Sequence, residues 1–306
     1  MRRRVLRVAS HNIMDGVHMN ALLEQYARFS ASQPIQSYSR SQAGLSVLCM
    51  QEVVPGAAEA AASSLGGGRQ GRFVVASCKS SPRMAIVYDR TMMQLCELQT
   101  VPLPLLSHVP LWQRFYTSGK PEQRLALIGK FQMWPHCRRQ FAELKIANFH
   151  LDAAGDNAHR TAQLRALVSA LDSEELPLSP VVPALPGRRT ALHGRKRRSA
   201  VVLCGDTNAF DFDQNISEQA LHGMLAPVRT RLGAVDAHAS IPQATHFFAR
   251  ADEPKLGQRI AVAFGRLGVD FPRRYDIVAT SPRCVEAGQL TTPGSDHDLV
   301  WAAMAF

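Results

Sequence analysis

Residues 201–208 read V-V-L-C-G-D-T-N, four apolar residues that run into a glycine and then an acid and an amide two positions apart. A run this short and apolar at every position reads as a strand buried on both faces. Strand residues alternate sides, so Asp206 and Asn208 are expected to share a face while Thr207 turns away. Gly205 would let the backbone approach a neighbour closely. A carboxylate at the end of a buried strand is costly unless a metal ion, a base or a proton compensates it. Taken alone, G-D-T-N also fits an ordinary turn.

Similar runs recur along the 306 residues. Val5–Ser10, Leu45–Met50, Phe73–Val75, Met84–Tyr88, Met93–Leu98, Leu125–Met133 and Glu143–Leu151 read as strands, with more near Val201, Thr245, Asp276, Val285 and Leu299. Helical spacing links Met19, Leu22, Leu23, Tyr26 and Phe29, and again Leu164, Leu167, Val168 and Leu171. An Ala-rich helix over Ala57–Leu65 is stopped by Gly66, Gly67 and Gly68. Strands outnumber helices and come in adjacent runs, which favours an α/β (α+β) sandwich of packed sheets covered by helices over an alternating doubly wound fold. No repeat or linker divides the chain, so residues 1–306 are read as one domain. Residues 177–199, with prolines first and then Arg188, Arg189 and Arg195 to Arg198, read as an exposed basic insertion.

Four other strand ends resemble the one at Asp206. Asn12 follows the first strand, Glu52 the second, His150 closes I-A-N-F-H, and Ser295, Asp296 and His297 precede the last. Each has a plain explanation: a turn residue, a helix N-terminal acid, a satisfied core histidine, a loop acid. Polar groups at the ends of five apolar strands together point to a site assembled on a rigid scaffold.

The stretches S-H-N-I-M-D-G, C-M-Q-E-V, M-A-I-V-Y-D-R, N-F-H-L-D, G-D-T-N-A, R-Y-D-I-V and G-S-D-H-D occur in this order across nearly the whole chain. In this the chain resembles the endonuclease/exonuclease/phosphatase superfamily of DNase-I-like enzymes. The resemblance implies a four-layer sandwich of two mixed β-sheets flanked by helices, and a divalent cation, Mg²⁺ or Mn²⁺. It implies that Glu52 and Asp296 hold the metal and Asn12 completes its environment. It implies that Asp206 orients or deprotonates the attacking water and that Asn208 steadies the phosphate oxygens. His297, oriented by Asp276, would contact the phosphate, and His150 would stabilise developing charge or assist the leaving group. Oxygen ligands suit Mg²⁺, and phosphoester hydrolysis needs a positioned nucleophile and neutralised charge. The chain departs from some relatives in carrying Met14 where they have an acid, with Asp15 one later. No acid supporting His150 is placed by the sequence, and His11, His159 and His246 are read as bystanders.

The stretch H-L-D-A-A-G-D-N-A-H-R-T-A-Q-L and Thr207 are most similar to the branch with 5′-tyrosyl-DNA phosphodiesterases and deadenylase-like enzymes. There Arg160 is a candidate substrate contact. Formal net charge is +10, and 29 of 35 basic residues are arginine, which suits a phosphate-bearing partner such as DNA or RNA, though codon bias would give the same excess. Trp112 and Tyr116, beside Arg114 and Lys120, are placed either to stack on bases or to pack a loop. A nuclease or nucleic-acid phosphodiesterase is therefore the leading expectation. A lipid or inositol-phosphate phosphatase, and an RNA-binding scaffold in a ribonucleoprotein, are the rivals. The six cysteines form no C-x-x-C pair and read as buried thiols of a reducing compartment: nucleus, mitochondrion or prokaryotic cytoplasm. No stretch has the length of a membrane span, and an early first strand leaves no room for a secretory signal.

Overall fold

The computed structural model describes residues 5–16, 18–32, 44–67, 71–109, 120–134, 143–173, 199–209, 214–239, 244–247, 274–292 and 295–305. The strands are β1 (Val5–Asn12), β2 (Val47–Gln51), β3 (Phe73–Cys78), β4 (Ser81–Asp89), β5 (Met93–Pro102) and β6 (Leu125–Met133). They continue with β7 (Glu143–His150), β8 (Ser199–Asp206), β9 (Val235–Asp236), β10 (Asp276–Thr280), β11 (Cys284–Leu290) and β12 (Leu299–Ala305). The helices are α1 (Met19–Ser32), α2 (Ala57–Gly66), α3 (Asn157–Asp172), α4 (Gln214–Met224) and α5 (Ala226–Leu232).

Two six-stranded sheets form, ordered β11-β12-β1-β2-β4-β3 and β5-β6-β7-β8-β10-β9. Each is mixed, because β1 runs parallel to β2 and β7 parallel to β8 while the other pairings are antiparallel. The sheets face each other across one apolar layer that includes Leu6, Val8, Cys49, Ile86, Phe131, Ile146, Val202, Cys204 and Val278. The helices α1 and α2 cover the outer face of the first sheet through Leu22, Tyr26, Phe29, Ala61 and Leu65. The outer face of the second is covered by α3, α4 and α5 through Leu164, Leu167, Leu221, Met224 and Val228. The expected four-layer sandwich is the observed one.

The strand V-V-L-C is apolar throughout because it is buried on both faces. Val202 and Cys204 enter the layer between the sheets, whereas Val201 and Leu203 pack under the helices. Gly205 is required by a neighbouring strand: a Cβ there would stand 2.1 Å from the Phe149 carbonyl oxygen and 2.8 Å from its ring. Gly67, at φ 55, supplies the left-handed cap that ends α2, in agreement with the glycine signal.

Several expectations need correction. Helices α4 and α5 were not anticipated, although Leu221, Met224 and Val228 do supply a buried stripe at helical spacing. The strand expected near Thr245 is reduced to an isolated bridge between His246 and His297. Cysteines are not uniformly buried: Cys49 and Cys204 are, Cys78 and Cys284 are partly so, and Cys96 is exposed. The proposed insertion at 177–199, except Ser199 in β8, lies outside the described residues, as do Trp112 and Tyr116. Among the described residues no helix is long and apolar enough to cross a membrane.

Near one end of the sandwich the layer between the sheets turns polar. On the inward-facing positions, Leu6 and Val8 give way to Ser10 and Asn12, and Cys49 to Gln51. On the other sheet Ile146 gives way to Asn148 and then His150, and Cys204 to Asp206. Asn148 bridges the sheets: its Nδ2 donates to the carbonyls of Met50 and Ala85, each at 2.9 Å, and its Oδ1 accepts from Gln51 Nε2 at 2.7 Å. Gln51 Nε2 also donates to Ser10 Oγ at 3.2 Å. Asn148→Ala strips these buried groups of their partner and is expected to destabilise the fold by about 2–4 kcal/mol. A denaturant-unfolding midpoint unchanged from wild type would refute this role.

Candidate active site

The expected residues converge just beyond that polar layer. His150, Asp206 and Asp276 form one row across three neighbouring strands, since Asp206 pairs in register with both of the others. The first sheet brings up Asn12 at the end of β1 and Glu52 just after β2. Asp206 lies at the centre, 1% exposed. Its Oδ2 accepts from Asn12 Nδ2 at 3.1 Å, and its Oδ1 from the Asn208 backbone N–H at 2.8 Å. Two imidazoles flank the same Oδ2, His150 Nε2 at 3.6 Å and His297 Nε2 at 3.8 Å. Burial pushes the Asp206 pKa up, but His297, His150 and these hydrogen bonds outweigh it and hold the carboxyl below its ordinary range.

His297 is fixed from behind. Its Nδ1 lies 2.8 Å from Asp276 Oδ2, and its Nε2 is 3.9 Å from Asp296 Oδ1. Burial works against the charged imidazole, yet Asp276, Asp296 and Asp206 together raise its pKa well above 6.5. His150 goes the other way: burial lowers its pKa, only partly opposed by Asp206 and Glu52. The two imidazoles that flank this carboxylate are thus pushed in opposite directions, His150 toward its neutral form and His297 toward its charged one. Burial also opposes ionisation of Asp296, but His297 and His246 bring its pKa down to about 2.

The loops are strained where they turn into the site. Among the described residues, the non-glycine positions with positive φ are Met14 (46°), Asp15 (55°), Glu52 (55°) and Asn208 (48°), all next to these strand ends. This alters the reading of G-D-T-N. The strand ends at Asp206, so Asn208 reaches the site through a left-handed turn and not by strand alternation. Asn208 Nδ2 donates to the Leu151 carbonyl at 3.0 Å, tying the turn to the end of β7. Thr207 faces away as expected, its hydroxyl donating to the Tyr275 carbonyl at 2.8 Å.

The acids that accompany His150 are Asp206 and, at 3.9 Å, Glu52. Glu52 also stands 3.5 Å from Arg83, which pairs with Asp15, so Asp15 reaches Glu52 only through that guanidinium. Arg160 is in α3 but only 3% exposed. It donates from Nε to the Asp152 carbonyl (3.0 Å), from one terminal nitrogen to Asn157 Oδ1 (3.0 Å) and from the other to the Ala153 carbonyl (3.1 Å). The guanidinium binds the turn before α3 and is not displayed to solvent.

His246 is no bystander. Its Nε2 lies 3.3 Å from Asp296 Oδ2, and its ring packs edge-on against His297 with centroids 4.6 Å apart and tilted on Tyr275 at 4.8 Å. Nothing local in A-T-H-F-F marks it, because its partners come from 275 and from 296–297. His11 is buried with its pKa depressed to about 3, chiefly by burial; its ring nitrogens contact Tyr26 Oη (2.6 Å) and Thr292 Oγ1 (3.2 Å). His159, in α3, lies 3.8 Å from Asp152 in the turn before that helix.

For an oxygen-ligated cation, Glu52 offers a partly exposed carboxylate. Asn12 Oδ1 accepts one backbone N–H, from Met14 at 3.1 Å, and Asp296 Oδ1 is buried without a hydrogen-bond donor. These donors fit Mg²⁺ in kind. The His, Asp and Glu groups close enough to share an ion among the described residues are His246–Asp296–His297 and Asp206–Asp276–His297, and neither contains Glu52.

No family model matches the chain, and no curated protein matches it. Solved structures do. D. rerio TDP2 complexed with a single-strand DNA product superposes at a TM-score of 0.56 with 14% identity, covering 98% of each chain. ANGEL2, a 2′,3′-cyclic phosphatase in complex with adenosine-2′,3′-vanadate, gives 0.56 at 12% identity over 99% of this chain and 96% of that one. The Bacteroides thetaiotaomicron mannosyl-6-phosphatase gives 0.53 at 14% identity over 98% and 100%. At these identities the likeness is one of fold, and the chain has the endonuclease/exonuclease/phosphatase fold.

Asp276→Asn removes the carboxylate hydrogen-bonded to His297, so the pKa of that imidazole should fall. A titration followed by nuclear magnetic resonance of the His297 ring reads this directly. An unmoved midpoint would show that Asp276 is not what holds the charge.

Proposed function

We propose that this endonuclease/exonuclease/phosphatase-fold chain is a divalent-metal-dependent phosphoester hydrolase acting on DNA or RNA. The observation that carries the reading is the geometry at Asp206: a buried carboxylate fixed by Asn12 Nδ2 and the Asn208 N–H, with His150 Nε2 and His297 Nε2 at 3.6 and 3.8 Å from one of its oxygens. Asp206 hydrogen-bonds the attacking water and takes its proton as the bond to phosphorus forms. Asn12 fixes the carboxylate through its Oδ2, and the Asn208 N–H fixes the other oxygen, so its direction is set before substrate arrives. His297, held cationic by Asp276, neutralises a phosphate oxygen in the transition state. His150 donates from its neutral ring to the charge developing on the leaving group. Asn208 keeps one amide N–H for a phosphate oxygen beyond the one given to Leu151. Glu52, Asn12 and Asp296 would hold the cation, which lowers the pKa of water and neutralises phosphate charge when bound.

Support for a nucleic-acid substrate comes from the net charge of +10 and from the DNA product bound by a protein of this fold. Phosphomonoester hydrolysis is the second reading, favoured by a sugar-phosphate phosphatase of the same fold. The test is a panel of single-stranded, double-stranded, abasic, 5′-tyrosyl and poly(A) oligonucleotides together with sugar and inositol phosphates, assayed with and without Mg²⁺. Cleavage of an oligonucleotide only with metal, reduced by at least about 10³-fold in Asp206→Ala, is expected. Phosphate release from the small esters alone would overturn the nucleic-acid assignment, and no turnover of any substrate would overturn the hydrolase reading.

A further inference from the structure

His246 meets Asp296 and His297 at the edge of the site, and the reaction above gives His246 no part. His246 and His297 face each other across a two-residue antiparallel bridge. That bridge is held by backbone bonds from Phe247 N to the Asp296 carbonyl (2.8 Å) and from Asp298 N to the Thr245 carbonyl (2.7 Å). Thr245 Oγ1 accepts from the backbone N–H groups of Tyr275 and Asp276, both at 3.0 Å, so the ladder is anchored to β10. A ring nitrogen of His246, a carboxylate oxygen of Asp296 and a ring nitrogen of His297 all lie within 4.8 Å of one another.

Three features go beyond proximity. Asp296 Oδ1 is buried and receives no hydrogen bond, so an acceptor is aimed into the cluster with no donor to meet it. His297 gives its Nδ1 to Asp276 at 2.8 Å, which leaves Nε2 as the nitrogen that faces the cluster. A carboxylate behind a histidine in this way is the usual support of a metal-ligating imidazole, because it sets the tautomer and raises the basicity of the other nitrogen. The two oxygens of Asp296 each face one imidazole, Oδ2 at 3.3 Å from His246 Nε2 and Oδ1 at 3.9 Å from His297 Nε2, so the carboxylate stands between both rings.

We propose that His246, Asp296 and His297 form a binding site for a borderline divalent transition metal such as Zn²⁺ or Co²⁺, which shares Asp296 with the oxygen set of Glu52 and Asn12 and differs from it in its two imidazoles. Two imidazoles and one carboxylate with an open fourth position suit Zn²⁺ and Co²⁺ and do not suit Mg²⁺, which takes oxygen. Ligation takes the neutral imidazole, so the ion replaces the proton on His297 Nε2. Because His297 Nε2 is 3.8 Å from Asp206 Oδ2, an ion here borders the centre of the proposed hydrolase, and its catalytic meaning rests on that reading. Ion binding itself does not.

The experiment is Co²⁺ titration of the metal-free full-length protein, followed by visible absorption. An intense four-coordinate spectrum is expected, displaced by Zn²⁺ and not by Mg²⁺. His246→Phe, which keeps the ring packing, and His246→Gln should each weaken Co²⁺ binding by at least about tenfold. Glu52→Gln should leave the spectrum intact. Proton resonance of the Co²⁺-loaded wild type gives a readout that needs no variant: two paramagnetically shifted exchangeable ring N–H signals, one per histidine. A spectrum no different from aqueous Co²⁺, unchanged affinity in both folded His246 variants, or fewer than two shifted ring signals would each overturn the site. A positive Co²⁺ result in a protein that hydrolyses nothing would uphold the site while removing the proposed activity.

Discussion

The hydrogen bonds that Asn148 makes across the sandwich set the geometry of everything beyond them. An apolar layer between two sheets tolerates small sliding, because dispersion and burial are not directional. An amide that donates to two carbonyls of the opposite sheet and accepts from Gln51 does not. Asn12 and Glu52 come from one sheet, and His150, Asp206 and Asp276 from the other. Their relative positions rest on this polar floor and on a bond above it that also crosses the sheets, from Asn12 Nδ2 to Asp206 Oδ2. The pair costs some core hydrophobicity and gives register in exchange, which is the trade a site split between two sheets requires.

Above the floor, electrostatics dominate. Asp206, Asp276 and Asp296 are nearly inaccessible to water, and all three act on His297. Three carboxylates around one imidazolium leave the centre net negative if all are ionised. Buried excess charge of this kind is expensive, and the structure relieves it in part through Asn12, the Asn208 N–H and His246. The left-handed backbone at Glu52 and Asn208 falls at the two strand ends that border this cluster.

Much of this was legible in the sequence, and what was not has a physical cause. V-V-L-C, I-A-N-F and V-L-C-M announce strands buried on both faces, and the polar residue ending each one announces the site. Alternation then correctly places Asp206 on the same side as Cys204. It does not govern Asn208, whose backbone is left-handed two residues after the strand ends at Asp206. It had no purchase on His246, which lies in no strand and gains its meaning from Asp296 and Tyr275, both distant in sequence. Arg160 was visible as a charged residue near the site, but whether a guanidinium faces solvent or its own loop depends on carbonyls whose positions only the fold supplies.

The chain's charge and the charge of its site have opposite signs, and that contrast constrains the chemistry. A net charge of +10 draws anions toward the protein. Inside the site the same anion meets Asp206 and Asp296, whose pKa values lie below the ordinary carboxylate range and which stay ionised at neutral pH. His297 alone cannot offset two carboxylates and a phosphate, and His150 is neutral. Three described guanidiniums act near this centre: Arg83 pairs with Asp15 and Glu52, Arg160 is hydrogen-bonded into its loop, and Arg124, whose charge is felt at His150, lies 3.5 Å from Glu122. Under the proposed function, a phosphate entering this centre adds negative charge that a divalent cation held by Glu52, Asn12 and Asp296 would offset, and this charge balance supports the metal in that proposal beside the identity of its ligands.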